Sequence, residues 1–277
     1  MMLSRSLLSS IALVALGACS GGNGSGSQTT VTVDGSTALQ PLVTQAAQDY
    51  MAKHPDVKID VRGGGSAKGI FDASNHSVDV GDSDVDAAMP DLVDHSVAVA
   101  AFAVVHGPNS GVESLTKDQI GKIFEKGFTN WKQLGGHDQA IVLFNRPLGS
   151  GTRKVFSTFF LSGREPENGA AVLETSDQVA QKVKNTPGAL SYVALSYASK
   201  FNVPVVAIGG VTPSLANIGN KSYGFWTYEH MYTSSKSSPA AESFIDYVKS
   251  DDGAIDRLGF IAIKDVAKSG ATGASPQ

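Results

Sequence analysis

The sequence is poor in several things that usually announce a function. It has one cysteine, Cys19, in 277 residues, so no disulfide can form within the chain. Its six histidines (His54, His76, His95, His106, His137 and His230) show no metal-ligand spacing, and the acidic run at 78–87 lacks the spacing and closing Glu of a calcium loop. Basic residues do not prevail: 22 Lys and Arg against 26 Asp and Glu give a net charge of −4. With no basic stripe interleaved with aromatics, a nucleic-acid partner is not expected. No G-x-x-x-x-G-K-[ST] loop occurs, nor a full dinucleotide fingerprint, nor a G-x-S-x-G elbow. No nucleophile–base pair stands out for hydrolysis, so no catalytic residue, metal or cofactor is expected. The two tryptophans, Trp131 and Trp226, stand singly and read as packing residues rather than a sugar platform.

Long apolar runs are missing too. Residues 7–16 follow Arg5 and precede small residues, which is the anatomy of a secretory signal too short to span a membrane. Residues 1–18 are therefore expected to be a signal peptide. Leu16-Gly17-Ala18-Cys19 resembles the bacterial lipoprotein box, which implies lipidation at Cys19. An ordinary signal with an incidental cysteine is the plainer alternative. Residues 19–30 are small and polar and read as a tether, and 268–277 as a disordered tail.

Between these ends, apolar strand-like segments alternate with helical ones. Strands are expected at 31–33, 57–61, 97–105, 141–144, 189–193 and 203–208. Leu39, Leu42, Val43, Ala46, Tyr50 and Met51 mark one helix face ending near His54-Pro55. Thr116 with Gln119 makes a capping box; Val155, Phe156, Phe159 and Phe160 mark another face, as do Phe244, Ile245 and Val248. This is the pattern of an α/β protein with one or two mainly parallel sheets.

Three strand-to-helix turns share one grammar. "DGSTALQPL" (34–42) offers Ser36 and Thr37, "RGGGSAKGI" (62–70) offers Ser66, and "RPLGSGTRKVF" (146–156) offers Arg146, Ser150, Gly151 and Thr152. Glycines, hydroxyls and free helix-start N–H groups form such turns, each with the positive end of a helix dipole behind it. One alone is an ordinary cap. Three, with an arginine, point to a shared oxyanion site at the carboxyl ends of the strands. In "VDVGDSDVDA" (78–87), a carboxylate facing that anion makes sense only if the anion carries a proton. Phosphate near neutral pH has one; sulfate does not.

With these segments in this order, joined by "SLTKDQIGKIFEKGFTNWKQLGG" and "VKNTPGALSYVALSYA", nearly the whole chain after the signal resembles the PstS-like phosphate-binding proteins that deliver inorganic phosphate to an ABC transporter. The resemblance implies a two-lobed, periplasmic-binding-protein-like α/β fold, two doubly wound domains with a hinge and a ligand cleft between them. The first lobe would comprise 31–106 and 224–267, the second 107–223, with crossings in 97–105 and near 221–226. Phosphate contacts would fall on Ser36, Thr37, Ser66, Asp84, Arg146, Ser150, Gly151 and Thr152. Asp84 aligns with the family's proton-accepting aspartate. Asp82 is the competing assignment and is expected to point to solvent, as is Asp86. The implied partners are phosphate, the permease and ATPase of an importer, and a membrane reached through the lipid; the protein would be a monomer. A tethered sensor or adhesin, or a binder of sulfate, molybdate or tungstate, would share these features.

Overall fold

The computed structural model describes residues 28–167 and 170–268. The expected signal peptide, Cys19, residues 20–27 of the tether and the tail beyond 268 lie outside the described residues.

The described chain begins with β1 (Thr29–Gly35), α1 (Gln40–Lys53), β2 (Val57–Val61), α2 (Ser66–Ser74), β3 (Val80–Ser83) and β4 (Leu92–His106). β1 is flanked in parallel by β2 and β3, and its inward residues Val31 and Val33 are buried in the same core as Leu42, Val43 and Ala46 of α1. α1 stops at His54, ahead of Pro55, whose ring disfavours helical geometry in the residue before it.

The chain then continues through β5 (Ser114–Leu115), α3 (Lys117–Phe124), β6 (Val142–Asn145), α4 (Gly151–Leu161), β7 (Ala171–Val172), α5 (Ser176–Lys184), β8 (Ala189–Ala194), α6 (Leu195–Phe201), β9 (Val205–Ile208) and α7 (Leu215–Gly219). Thr116 does form the capping box of α3 with Gln119. β9 starts two residues later than the apolar pattern suggests, because Pro204 has no N–H to give a ladder. The chain returns through β10 (Trp226–Ser234) and finishes with α8 (Pro239–Ser250), α9 (Asp252–Arg257) and α10 (Ile263–Lys268).

β4 changes partners partway along. Residues 92–101 pair antiparallel with β10, and residues 102–106 pair antiparallel with β8. The switch falls between Ala101 and Phe102, where Phe102 N–H donates 2.9 Å to the carbonyl of Phe225, the residue just before β10. Here the two segments expected as hinge crossings lie side by side. Parallel pairing prevails away from them (β1 with β2 and β3; β6 with β7 and β8), whereas the crossing strands are antiparallel. Sequence pattern missed β10 because its buried positions include Thr227, Glu229, His230 and Thr233, which break the apolar signature. It also missed β3, four residues that contain Asp82.

Both tryptophans pack as expected. Trp131 is fully buried and donates from its indole N–H to the Gly188 carbonyl at 2.9 Å; Trp226 meets Tyr228 edge-on at 5.6 Å.

Candidate anion-binding cleft

The three glycine- and hydroxyl-rich turns converge where the lobes meet. Ser36 follows Gly35, whose φ of +140° lets the end of β1 close on β3: a Cβ there would lie 2.1 Å from the Asp82 carbonyl. That approach allows Ser36 N–H to donate to the Asp82 carbonyl at 2.9 Å. The Ser36 hydroxyl oxygen accepts from the N–H groups of Ala38 and Leu39 at 3.0 and 3.1 Å, and its proton goes to Asp84 Oδ1. Ser66 opens α2, and its hydroxyl accepts from Asp84 N–H at 3.0 Å. Ser150 caps α4, accepting from Arg153 N–H at 3.3 Å. Each serine oxygen is thus taken by a backbone donor. The protons of Ser66 and Ser150 are thereby left for other acceptors, as are the N–H groups of Gly151 and Thr152, which have no acceptor within their own helix.

Asp84 joins two of the turns. Besides Ser36, its carboxylate accepts from the Thr152 hydroxyl at 2.7 Å, and it is 1% exposed. Gly151 sits against the same wall: a Cβ there would be 2.2 Å from Ser66 Oγ and 2.8 Å from Asp84 Cβ. The Gly149 carbonyl accepts from Ala67 N–H at 3.1 Å, also across the cleft.

Arg146 is the central cation. It is 1% exposed, and its backbone is clamped by Asn145 Oδ1, which accepts from Arg146 N–H at 2.9 Å, and by Arg153, which donates to the Arg146 carbonyl at 2.6 Å. Its guanidinium donates to the carbonyls of Leu173 and Glu174 at 3.1 and 2.9 Å, to Ser176 Oγ at 3.1 Å, and across the cleft to Thr37 Oγ1 at 3.0 Å. All four partners are neutral oxygens. Burial pulls the Arg146 pKa down, opposed first by the Asp84 charge. Arg153, by contrast, is ion-paired with Glu165 at 2.7 Å.

The eight sequence-derived positions, Ser36, Thr37, Ser66, Asp84, Arg146, Ser150, Gly151 and Thr152, are all buried in this one region. Two participants were missed. Ser176, the first residue of α5, lies 3.1 Å from Thr37 Oγ1 and receives the Arg146 bond, and Tyr197 donates to the Thr37 carbonyl at 2.9 Å. The signal for Ser176 was present in Thr175-Ser176-Asp177-Gln178, where Thr175 caps the helix by accepting from Gln178 N–H. It is a fourth helix start of the same kind, without glycines to draw the eye. Tyr197 carries no local signal, being an aromatic on a short helix.

The acidic turn corrects one expectation. Asp82 does not point to solvent: it lies within β3, 1% exposed, and neither carboxylate oxygen has a hydrogen-bond partner. Burial first, then the nearby charges of Asp34 and Asp84, push its pKa well above the usual carboxylate range. A side chain alternating along a strand cannot be read as exposed when both sheet faces are covered. Asp86 is exposed, as expected, and its carboxylate lies 3.2 Å from His230 Nε2.

A model of the PBP superfamily domain matches residues 22–252. The phosphate-binding protein PstS of Bacillus subtilis is 40% identical over 245 residues, spanning 85% of this chain and 81% of that protein. A phosphate-bound structure, described as a phosphate ABC transporter substrate-binding protein from Clostridium perfringens, superposes with a TM-score of 0.80 at 28% identity, over 85% of this chain and all of the other. An ABC-type phosphate transport receptor from Vibrio cholerae shares the fold at a TM-score of 0.68 and 24% identity, over 83% of this chain and 99% of that one.

Proposed function

The chain belongs to the PBP superfamily and, within it, to the PstS phosphate-binding proteins, and from that membership and the cleft's donor set we propose that it captures inorganic phosphate outside the cytoplasm and hands it to an ABC importer. The observation that carries this reading is Arg146: a buried guanidinium whose every partner is neutral. An uncompensated buried charge is costly, and an anion seated between the lobes supplies what is missing.

The phosphate would take over the hydroxyl-facing N–H groups of Arg146 and receive protons from Thr37, Ser66 and Ser150. The N–H groups of Gly151 and Thr152 complete its cradle, with the α4 dipole behind them. Ser36 and Thr152 hold Asp84, which accepts the proton that phosphate brings. This set binds and releases; it holds no nucleophile activated by a base. Because donors come from both lobes, the ligand stabilises the closed form, and closure is the state a permease reads. The lobe division at 31–106 with 224–267 against 107–223 is supported by the change of β4 pairing and the adjacent return through β10. No helix among the described residues is long and apolar enough to cross a membrane. A lipid on Cys19 provides the membrane attachment in this reading, and the protein acts as a monomer.

Titration calorimetry on protein stripped of endogenous phosphate tests the ligand. One phosphate should bind per chain, with sulfate and molybdate far weaker. Binding of either in preference to phosphate overturns the assignment. For the anchor, Cys19→Ser should move the protein from the membrane fraction to the soluble one, and unchanged partitioning refutes lipidation at that residue.

A further inference from the structure

Behind the cleft lies a second carboxyl that the binding reading does not use. Glu229, on β10, is 0% exposed, and neither of its oxygens meets a hydrogen-bond donor. β10 runs antiparallel to β3 with His230 opposite Ser83, so the next position along both chains sets Glu229 beside Asp84. Along its other edge β10 faces a bulge in β4: Glu229 is opposite Ala98 and His230 opposite Ser96, leaving Val97 as the extra residue of β4. A bulge of this kind disrupts the ladder and increases the local twist of the pair. At this point on β10 a carboxyl is brought against a carboxyl.

Two buried carboxyls in contact cannot both be ionised, and the surroundings decide which keeps the proton. Asp84 accepts hydroxyl bonds from Ser36 and Thr152, the setting of a carboxylate. Glu229 accepts none. Burial, and next the charge and hydrogen bond of Asp84, raise the Glu229 pKa well above the usual carboxylate range. The other titratable groups nearby leave this asymmetry in place. Asp82 on β3 is itself a buried carboxyl and brings no positive charge; Lys68 on α2 is held by Asp34 and Asp72; His230 is held by Asp94 and Asp86. β4 presents Val97, Ala98 and Val99, which carry no charge.

We propose that Glu229 is the positioning residue of the phosphate-proton acceptor: a neutral carboxylic acid on β10 that donates to Asp84 from behind and fixes the oxygen Asp84 turns toward the ligand. The inference rests on the phosphate reading above. It makes Asp84 the centre of three donors from its own protein, so its remaining lone pair is aimed at a ligand that must bring a proton. Ionising Glu229 would place a second negative charge behind that lone pair, and phosphate affinity would fall as pH rises through the Glu229 pKa.

Infrared difference spectra and calorimetry on Glu229→Gln and Glu229→Leu test it. In the ligand-free protein at neutral pH, the carbonyl stretch of protonated carboxylic acid should lose amplitude in Glu229→Gln; Asp82 supplies what remains. Glu229→Gln, which keeps a neutral donor, should bind phosphate within about threefold of the parent, and its affinity should fall less steeply with rising pH. Glu229→Leu, with no donor, should bind about tenfold or more weakly, the loss of a hydrogen bond to a charged group. An undiminished infrared band, or equal losses in the Gln and Leu variants, overturns the proposal. If Glu229→Leu does not fold, the spectra and the pH profile of Glu229→Gln decide alone. A parent protein that takes up no phosphate defeats the functional reading instead, while the infrared arm still reports on the Glu229–Asp84 pair.

Discussion

Thr152 donates its hydroxyl proton to Asp84 Oδ2 at 2.7 Å, so a carboxylate just past β3 is held by the first turn of α4, 68 residues further along the chain. On the proposed phosphate reading, the same bond would make the acidic residue part of the closure and of the choice of anion. An anion without a proton would face Asp84 as charge against charge, with nothing to bridge them.

Replacing Asp84 by Asn supplies an amide that donates to an unprotonated oxygen. The preference for phosphate over sulfate should shrink by about tenfold or more, the scale of one charge-assisted hydrogen bond. Competition calorimetry with the two anions reads this directly. An Asp84→Asn protein that still rejects sulfate as the parent does removes Asp84 from the selectivity role.

Gly151 tests closure itself. A Cβ at this position would collide with Ser66 Oγ at 2.2 Å and Asp84 Cβ at 2.8 Å, both in the opposite lobe. Gly151→Ala should therefore fold normally but hold the cleft ajar. Phosphate affinity should drop by about a hundredfold, as for roughly 2.7 kcal/mol of lost closure. Small-angle scattering with saturating phosphate should show a radius of gyration that no longer contracts; contraction equal to the parent's contradicts the expectation.

Arg146→Ala removes the buried cation and should cost about 2–5 kcal/mol of phosphate binding, the range for truncating one member of a buried charge pair. Arg146→Lys should recover only part of it, because an ammonium cannot reproduce the planar fork that reaches Thr37 and Ser176 together. Calorimetry on both variants, with melting curves to show that they fold, distinguishes charge from geometry.

Ser176→Ala removes the hydroxyl shared between Arg146 and Thr37. The expected loss is about 0.5–1.5 kcal/mol, so affinity should weaken by roughly three- to tenfold. Unchanged affinity would make Ser176 a helix-start residue and nothing more.

Asp82 should reveal itself through stability rather than binding. Its folded pKa is raised by burial, so between the unfolded carboxylate pKa near 4 and that raised value the native state holds a proton the unfolded chain has lost. Stability therefore declines as pH climbs through that window. Asp82→Asn does not titrate and escapes the decline, so its Tm relative to the parent should be higher at pH 7 than at pH 4. A Tm difference that stays constant with pH would mean Asp82 is not buried in its neutral form. Its selectivity for phosphate over sulfate should match the parent's.

Much of this protein was legible in local sequence because the features are local. Turns that end a strand and start a helix need glycine and hydroxyl residues at fixed offsets, and so Ser36, Thr37, Ser66 and the 150–152 turn could be picked out one by one. The strands declare themselves too: β8 as a run buried along its whole length, β2 by Val57, Ile59 and Val61 alternating with Lys58 and Asp60. What local sequence could not decide was which polar residues would be enclosed. Asp82 and Asp84 are two residues apart and both buried, yet one has no partner and the other is bonded from both lobes. Ser176 meets Thr37 across 139 residues of chain, and β10 lies between β3 and β4, so that Glu229 comes beside Asp84. These placements follow from strand order and lobe closure, which bring together segments that carry no record of one another in their own spacing. The residue types and their turns were set by sequence; which charge stands alone, which is shared and which keeps its proton was set by the tertiary fold, because burial and long-range contact fix the cost of each charge.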